Sequence, residues 1–352
     1  MDQVTSGSPL APFFTSSESA MSYRIHLIES QQSFEVGADE SVLDGALRAN
    51  VPMAHDCRFG GCGTCRIRLV EGTVAYEEYP MGLTPEEEGE GFALACQARP
   101  TTDLVISTAR PGEPCAEPAR HTAVIRNIAP LSADVVHLTL ELPQAQALDY
   151  RPGQYLKIFT GDGIARSFSM ASVPKDRTVD LHVRRIPGGY FTERLLAGLR
   201  SDDHLDVELP LGGFYFRKDD YRPLVMVATG TGLAPIKSIL ESLMDDPDCP
   251  PVSLYWGMRT QADLYLHEQI QAWGARLYDF QYIPVLSRAD DAWSGRRGHV
   301  QHAVAADLPD LSEHAIYLCG SPDMIRDARE TFLGLGASGA HIYADCFTFQ
   351  RS

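Results

Sequence analysis

The sequence predicts a three-module chain of mixed α+β and α/β class: a small mixed-sheet module, an antiparallel β-barrel and a doubly wound parallel α/β domain. Three observations carry this. Residues 22–108 set a few alternating, strand-like runs around one amphipathic helix. Residues 120–220 hold short strand-like runs at regular intervals, separated by turn residues, as a small barrel requires. Residues 221–352 alternate continuous apolar runs with helical patterns, the signature of a parallel sheet covered on both faces. The stretch "ARPGEPCAEPAR" has three prolines and no periodicity, so residues 109–119 read as a linker. Residues 1–21 are rich in Ser and Thr, contain no Lys or Arg, and read as a disordered tail. They fit neither a secretory signal nor a transit peptide, and a cytoplasmic location is expected.

Composition narrows the function classes. The 352 residues are 44% hydrophobic and 22% charged, ordinary for a folded chain. The 30 basic and 47 acidic residues leave a net charge of -17, which argues against nucleic acid as a partner and suits a protein with a basic docking patch. No apolar run is long enough for a membrane span. Eight cysteines are too few for a disulfide scaffold, yet three of them crowd into "CRFGGCGTC".

In the first module, "YRIHLIES" and "QSFEV" alternate like a hairpin. "SVLDGALRAN" follows as a helix, with Leu43, Ala46 and Leu47 on one face and Ser41 placed to cap it. "CRIRLVEGTV" and "DLVIST" read as further strands. Cys57, Cys62 and Cys65 are spaced C-x4-C-x2-C, and Cys96 follows after thirty further residues. This is the spacing of a [2Fe–2S] site, whose two bridged irons take four thiolates. Gly60, Gly61 and Gly63 let the loop turn its N–H groups toward sulfur. Structural zinc favours two C-x2-C knuckles, and a redox C-x-x-C leaves Cys57 and Cys96 without a role. The acidic run Glu86, Glu87 and Glu88 reads as a solvated helix start, with a docking face as the alternative. This module, over residues 22–108, resembles the β-grasp of plant-type ferredoxins.

In the second module, "RSFS" (166–169) sets an arginine, an aromatic ring and a serine along a strand: a phosphate clamp, a stacking face and a hydrogen-bonding hydroxyl. "HVRRIPGGYFT" places Gly188 and Gly189 before a helix with Phe191, Leu195 and Leu199 at helical spacing. "PLGGFYF" adds a glycine turn. Together these motifs resemble the ferredoxin–NADP reductase superfamily, whose flavin motif is R-x-[YF]-S. The resemblance implies Arg166 at the FAD pyrophosphate, Phe168 on the isoalloxazine face and Ser169 at flavin N5. It also implies Val183, Arg184, Gly189 and Thr192 as FAD neighbours. Phe168 stands where the family most often has Tyr.

In the third module, residues 224–228 are an apolar run, Gly230 and Gly232 follow, and Ile236, Ile239, Leu240 and Leu243 mark one face of a helix. A strand, a glycine turn and a helix N-terminus form a pyrophosphate site by geometry. "VSLYWGM", "FQYIPVLS", "AIYLCG" and "HIYADCF" supply further strands, and "SPDMIRDARETFLGLG" a helix. "GTGLAP" and "CGSP" are similar to the superfamily's nicotinamide-nucleotide motifs. That resemblance implies Gly230, Thr231 and Gly232 at the pyrophosphate, Cys319, Gly320 and Pro322 near the nicotinamide, and Phe347 covering the flavin after Asp345. Thr229 stands where the family commonly has a second glycine. On the same resemblance Ser169, Cys319 and Phe347 form the catalytic set that aligns the stacked rings, with no general acid or base. Arg259 follows the second strand, where a cation meets the 2′-phosphate of NADPH; a solvated arginine or one stacked on adenine fits the position equally.

The order of modules resembles the reductase components of multi-component aromatic-ring (Rieske-type) dioxygenases, of the benzoate and terephthalate dioxygenase kind, over nearly the whole chain after the tail. The resemblance implies an NAD(P)H-dependent oxidoreductase with a [2Fe–2S] cluster, FAD and NADH or NADPH as cofactors. It implies transient docking to a terminal oxygenase, with no nucleic acid and no membrane as partners. Reductases of the same build serve di-iron monooxygenases, cytochromes P450 and sugar-dehydration enzymes. A different class, a zinc-binding protein with vestigial nucleotide domains, is the competing expectation.

Overall fold

The computed structural model describes residues 22–55, 58–61, 63–83, 85–108, 116–161 and 164–347. Cys57, Cys62, the tail and most of the expected linker lie outside the described residues. In the first module Ser22–Leu27 and Gln32–Gly37 pair antiparallel, with Ser22 opposite Gly37. Leu104–Ser107 runs parallel to the first strand and antiparallel to Arg66–Glu71. Phe92–Leu94 completes a mixed five-stranded sheet. The helix Val42–Arg48 starts at Ser41, whose hydroxyl accepts from the Asp44 N–H at 3.1 Å. It buries Val42, Leu43 and Ala46 against the sheet. Gly45 allows that contact, because a Cβ there would lie 2.5 Å from Val36 Cγ2.

The second module is a six-stranded antiparallel sheet in the order Ala165–Ser169, Tyr155–Phe159, His204–Leu211, Ala119–Pro130, Val135–Glu141, Thr178–Arg184. Its outer strands meet at an antiparallel bridge between Met170 and Leu181, which closes the barrel. The segment expected as an ordinary helix opens with a π-helical turn, Tyr190–Leu195, in which the Leu196 N–H bonds to Phe191 O. A five-residue step carries Leu196 under Phe191, so Phe191 and Leu196 are the fully buried pair and Leu195 is only partly covered.

The third module is an all-parallel six-stranded sheet in the order Arg296–Arg297, Phe280–Leu286, Val252–Met258, Leu224–Thr229, Ala315–Gly320, Ile342–Cys346. The chain leaves the central strand Leu224–Thr229 toward one edge, then returns to its other side. The gap between Leu224–Thr229 and Ala315–Gly320 is therefore the topological switch point, where open α/β sheets bind ligands. One apolar core lies under the helix Leu233–Leu243, with Ile236, Ile239 and Leu240. A second core, with Val304, Ile325 and Phe332, lies under the helices Val300–Asp307 and Pro322–Gly334. Bonds that tie this module to the barrel include Lys237 Nζ to Ala171 O at 2.7 Å, Ser238 Oγ to Ser172 O at 2.6 Å, and Arg217 N–H to the Tyr317 hydroxyl at 3.0 Å.

Candidate functional site: two joined cavities and a cysteine loop

The first cavity lies on the barrel and is lined by Arg166, Phe168, Ser169, Gly189, Thr192 and Phe347, among others. Strand pairing places Phe168 opposite Leu156 and Arg166 opposite Ile158, which fixes the register of the motif. The Phe168 ring lies 5.0 Å from that of Phe191, and the Arg166 guanidinium 5.3 Å from the Tyr190 ring. Ser169 is buried, and its hydroxyl donates to Asp345 Oδ2 at 3.2 Å across the module boundary. A Cβ on Gly189 would stand 2.5 Å from Thr192 Oγ1 and 3.0 Å from Ile186 O, so only glycine fits this turn. An aromatic face, an arginine and a glycine turn before a helical segment match what the ring and pyrophosphate of a flavin dinucleotide need.

His182 lines this cavity too and lies 3.2 Å, Nδ1 to hydroxyl, from Tyr265 of the third module. Burial pushes its imidazole down to about 3, helped by the charges of Lys237 and His137, so it is neutral at neutral pH.

The second cavity, about 480 Å³, opens at the switch point and is lined by Gly230, Thr231, Arg259, Asp263, Gly320 and Ser321, among others. Its volume falls within the usual range of small-molecule sites, roughly 300–1,000 Å³. Gly230 has φ +58, and the Trp256 indole N–H holds its carbonyl at 3.0 Å. A Cβ on Gly320 would lie 2.1 Å from Thr229 Oγ1, so the larger Thr229 is accommodated only because residue 320 is glycine. Arg184, Thr231 and Phe347 line both cavities, which makes them neighbours through a shared wall.

Four expected contacts lie behind these walls. Val183 points into the barrel core with Val179 and Leu181, because alternate strand residues face opposite sides; His182 and Arg184 face the cavity instead. Cys319, expected in the catalytic set, is fully buried with Ala315 and Tyr317 against the Leu233–Leu243 side and lines neither cavity. Burial pushes its thiol well above the usual range. Gly232 is held under the Cys319 carbonyl, where a Cβ would come within 2.2 Å, so its role is packing the turn. Pro322 starts the helix Pro322–Gly334 behind its cap Ser321, and its neighbours Ser321 and Asp323 line the cavity. Sequence reasoning missed His182, Asp134 and Asp263; the available signal for His182 was its strand parity with Arg184.

The cysteine loop is built the same way. Cys65 and Cys96 are buried, and the Ala95 N–H bonds to Cys65 O at 3.0 Å, which brings the two segments together. Gly60 and Gly63 hold φ of +79 and +70, and a Cβ on Gly60 would lie 2.8 Å from Pro80. Gly82 packs over the loop, its N–H 2.6 Å from Gly60 O. Arg66 bridges Glu87 at 2.7 Å and Gly82 O at 3.1 Å. Glu87 is thus a buried brace, so the reading of a solvated helix start fails at this residue, while Glu88 in the same helix Pro85–Gly89 is exposed. Two buried thiols at a glycine cradle fit the thiolate donor set of a [2Fe–2S] cluster. The loop meets both other modules: Phe59 packs on the core containing Ile342 and Cys346, and the Tyr155 hydroxyl, on the flavin-side cavity wall, lies 3.5 Å from His55 O.

Family models match in this same order: a 2Fe-2S iron-sulfur cluster binding domain over 25–101, an oxidoreductase FAD-binding domain over 122–216 and an oxidoreductase NAD-binding domain over 226–330. The reductase component 2 of terephthalate 1,2-dioxygenase from Comamonas sp is 34% identical over 331 residues, 93% of this chain and 98% of that one. The chain belongs to the ferredoxin–NADP reductase-like flavoproteins with a fused [2Fe–2S] ferredoxin. This reductase is also similar, at 32% identity over 93% of its length and 99% of the relative's, to the CDP-6-deoxy-L-threo-D-glycero-4-hexulose-3-dehydrase reductase of Yersinia pestis. Among solved structures it is similar to the Amycolatopsis cytochrome P450 reductase GcoB, with TM-score 0.70 and 31% identity over 92% of this chain and 98% of that one. The reductase is an NAD(P)H-dependent iron–sulfur flavoprotein oxidoreductase whose cofactors are FAD, a nicotinamide dinucleotide and a [2Fe–2S] cluster. Among the described residues no helix is long and apolar enough to cross a membrane.

Proposed function

We propose that this reductase carries electrons from NAD(P)H to a terminal oxygenase of the aromatic-ring dioxygenase type, which docks transiently on the ferredoxin module. The observation that carries the reading is adjacency: the nucleotide cavity shares Arg184, Thr231 and Phe347 with the flavin cavity, and Tyr155 on the latter's wall reaches the cysteine loop at His55. Bound FAD supplies the exchange between two-electron hydride chemistry and the one-electron chemistry of the cluster. The chain's own residues bind and orient. Arg166 and the Gly189 turn hold the flavin pyrophosphate, Phe168 and Phe347 face its ring, and Ser169, fixed by Asp345, offers its hydroxyl at N5. The turn at Gly230 and Thr231 takes the nicotinamide dinucleotide's pyrophosphate on backbone N–H groups. Cys57, Cys62, Cys65 and Cys96 hold the cluster.

The corresponding modules are residues 22–108, 120–220 and 221–352, with 109–119 as linker, of which Ala119 already opens the barrel strand Ala119–Pro130. Residues 22–108 carry 14 Asp and Glu against 6 Arg, whereas residues 120–220 carry 13 acidic and 13 basic residues. The acidic excess supports a partner with a basic face at the cluster end. A second reading, the same relay serving a cytochrome P450 or a sugar dehydrase, is favoured by relatives bearing those names. Turnover assays with purified aromatic-ring dioxygenase, P450 and dehydrase components separate the readings. Rates that depend on NAD(P)H with a dioxygenase are expected. A colourless protein loaded with zinc would sink both.

A further inference from the structure

We propose that Lys237 and Ser238 are positioning residues for hydride transfer: from one helix they hold the nucleotide turn in register with the strand that carries the flavin serine. The inference rests on the reading that the 480 Å³ cavity holds the nicotinamide dinucleotide and the barrel cavity the flavin. In that transfer the C4–H bond of the dihydronicotinamide breaks, and the hydrogen with its electron pair forms an N–H bond at flavin N5. The nicotinamide is oxidised and the flavin reduced, with no other reactant. The reacting atoms must stand about 3–3.5 Å apart, and an error of about 1 Å costs on the order of 100-fold in rate. The two binding sites sit on different modules, so this distance is set by what joins them.

The helix Leu233–Leu243 continues directly from the turn Gly230–Gly232. This join already reaches the flavin side, where Thr231 and Ala234 line the barrel cavity. Ser238 lies roughly 9 Å along the axis from Gly232, at about 1.5 Å per residue. There Lys237 Nζ donates to Ala171 O at 2.7 Å and the Ser238 hydroxyl to Ser172 O at 2.6 Å. Ser238 is fully buried and Lys237 is only 8% exposed. A lysine is seldom buried without a partner, and Glu241 Oε1 supplies one at 2.7 Å. Ile236, Ile239 and Leu240 fix the same helix in the core of its own sheet. A hydrogen bond weakens steeply with misalignment, so two bonds to adjacent carbonyls set a register that apolar contact alone does not.

The barrel end of this link has no slack. Ser172 follows the strand Ala165–Ser169 closely, no more than about 11 Å of chain from Ser169. The Met170 N–H bonds to Gln154 O at 3.0 Å and the Ala171 N–H to Asp180 O at 2.7 Å. Ser172 Oγ accepts from the Asp180 N–H at 3.0 Å, and Ser172 O also accepts from the Tyr150 hydroxyl at 3.0 Å. Gly153 lets the helix approach, because a Cβ there would lie 3.0 Å from Ile239 Cδ1. Other bonds across this boundary, Ser169 to Asp345, His182 to Tyr265 and Arg217 to Tyr317, reach elements that do not carry the pyrophosphate turn. The helix is therefore the short, rigid path from Gly230–Gly232 to Ser169.

Ser238→Ala, Lys237→Met and the double variant test this, each as the FAD-loaded holoprotein. Ser238→Ala leaves Ser172 O bonded to the Tyr150 hydroxyl, so no buried acceptor is orphaned and the fold should stand. Anaerobic stopped-flow absorbance follows flavin reduction by NADH and by NADPH. Calorimetric titration with ADP-ribose, which carries the pyrophosphate but no nicotinamide, reads the turn by itself. Each single variant should lower the limiting rate of flavin reduction on the order of 10-fold, and the double variant on the order of 100-fold. FAD content and ADP-ribose affinity should stay within about 2-fold of native. The long-wavelength charge-transfer absorbance of nicotinamide stacked on flavin should weaken together with the rate. A native limiting rate in the folded double variant overturns the inference. So does a rate loss matched by loss of FAD or of ADP-ribose affinity, which marks plain loss of structure. If Lys237→Met does not fold, Ser238→Ala alone decides by the same outcomes. Failure of either nucleotide to reduce the flavin of the native protein overturns instead the nucleotide-site reading on which the inference rests.

Discussion

His182 makes the stability of the barrel–nucleotide junction depend on acid in a calculable way. In the folded chain its imidazole is pushed down to about 3, first by burial and then by Lys237 and His137. In the unfolded chain it titrates near 6.5. Below 6.5 the unfolded chain therefore binds a proton that the folded chain refuses, so stability is lost as pH falls from 6.5 and the loss levels off near 3. At roughly 1.4 kcal/mol per unit, the descent from 6.5 to 4.5 costs about 2 kcal/mol. His182→Gln keeps a polar group beside the Tyr265 hydroxyl and does not titrate. Asp180, whose carboxyl is held low despite burial by hydrogen bonds from His137 and Thr139, is present in both proteins and cancels in the comparison. Trp256, Trp273 and Trp293 all lie in the third module, so urea unfolding followed by tryptophan fluorescence reports on the affected side. The native chain should lose about 2 kcal/mol more than His182→Gln between the two pH values. Equal losses would mean that the imidazole is accessible to protons in the folded state, and the buried junction at His182 would be wrong.

Other perturbations follow from single contacts. Gly232→Ala forces a Cβ to within 2.2 Å of the Cys319 carbonyl, a backbone atom that cannot swing away. Its thermal unfolding should fall by several degrees, for a cost of about 1–3 kcal/mol, with nucleotide affinity falling too; a variant as stable as the native chain would remove this packing role. Glu87→Ala leaves Arg66 without its 2.7 Å partner beside the cysteine loop. A loss of about 2 kcal/mol in that brace should speed cluster loss in the presence of a chelator, which visible absorbance follows; an unchanged half-life would show that the brace does not support the loop.

Much of the fold is written locally. Ser41 caps its helix from three residues away, and strands with a period of two, such as Gln32–Gly37, declare their buried face through Phe34 and Val36. The glycine turn at Gly230 and the cysteine spacing are legible for the same reason: each is a contiguous stretch with one conformational solution. What escaped depends on contacts distant in sequence or on side-chain direction. Leu196 replaces Leu195 under Phe191 because the turn is π-wound, a choice that the helical spacing of Phe191, Leu195 and Leu199 does not encode. Val183 and Cys319 belong to recognisable motifs, yet strand parity and the neighbouring layer turn them into the cores. Glu87 looks like one of a run of surface acids until Arg66, twenty-one residues away in sequence, is brought beside it. Asp263 lines a cavity that also takes in Ser287, just beyond the later strand Phe280–Leu286.

The proposed relay is tested most directly by Cys62→Ser. In anaerobic stopped-flow mixing with NAD(P)H, the variant should reduce its flavin at the native rate and then fail to pass electrons to the purified oxygenase partner. Partner reduction at the native rate in a variant shown to lack the cluster would contradict the relay, because electrons would then be leaving the flavin by another route.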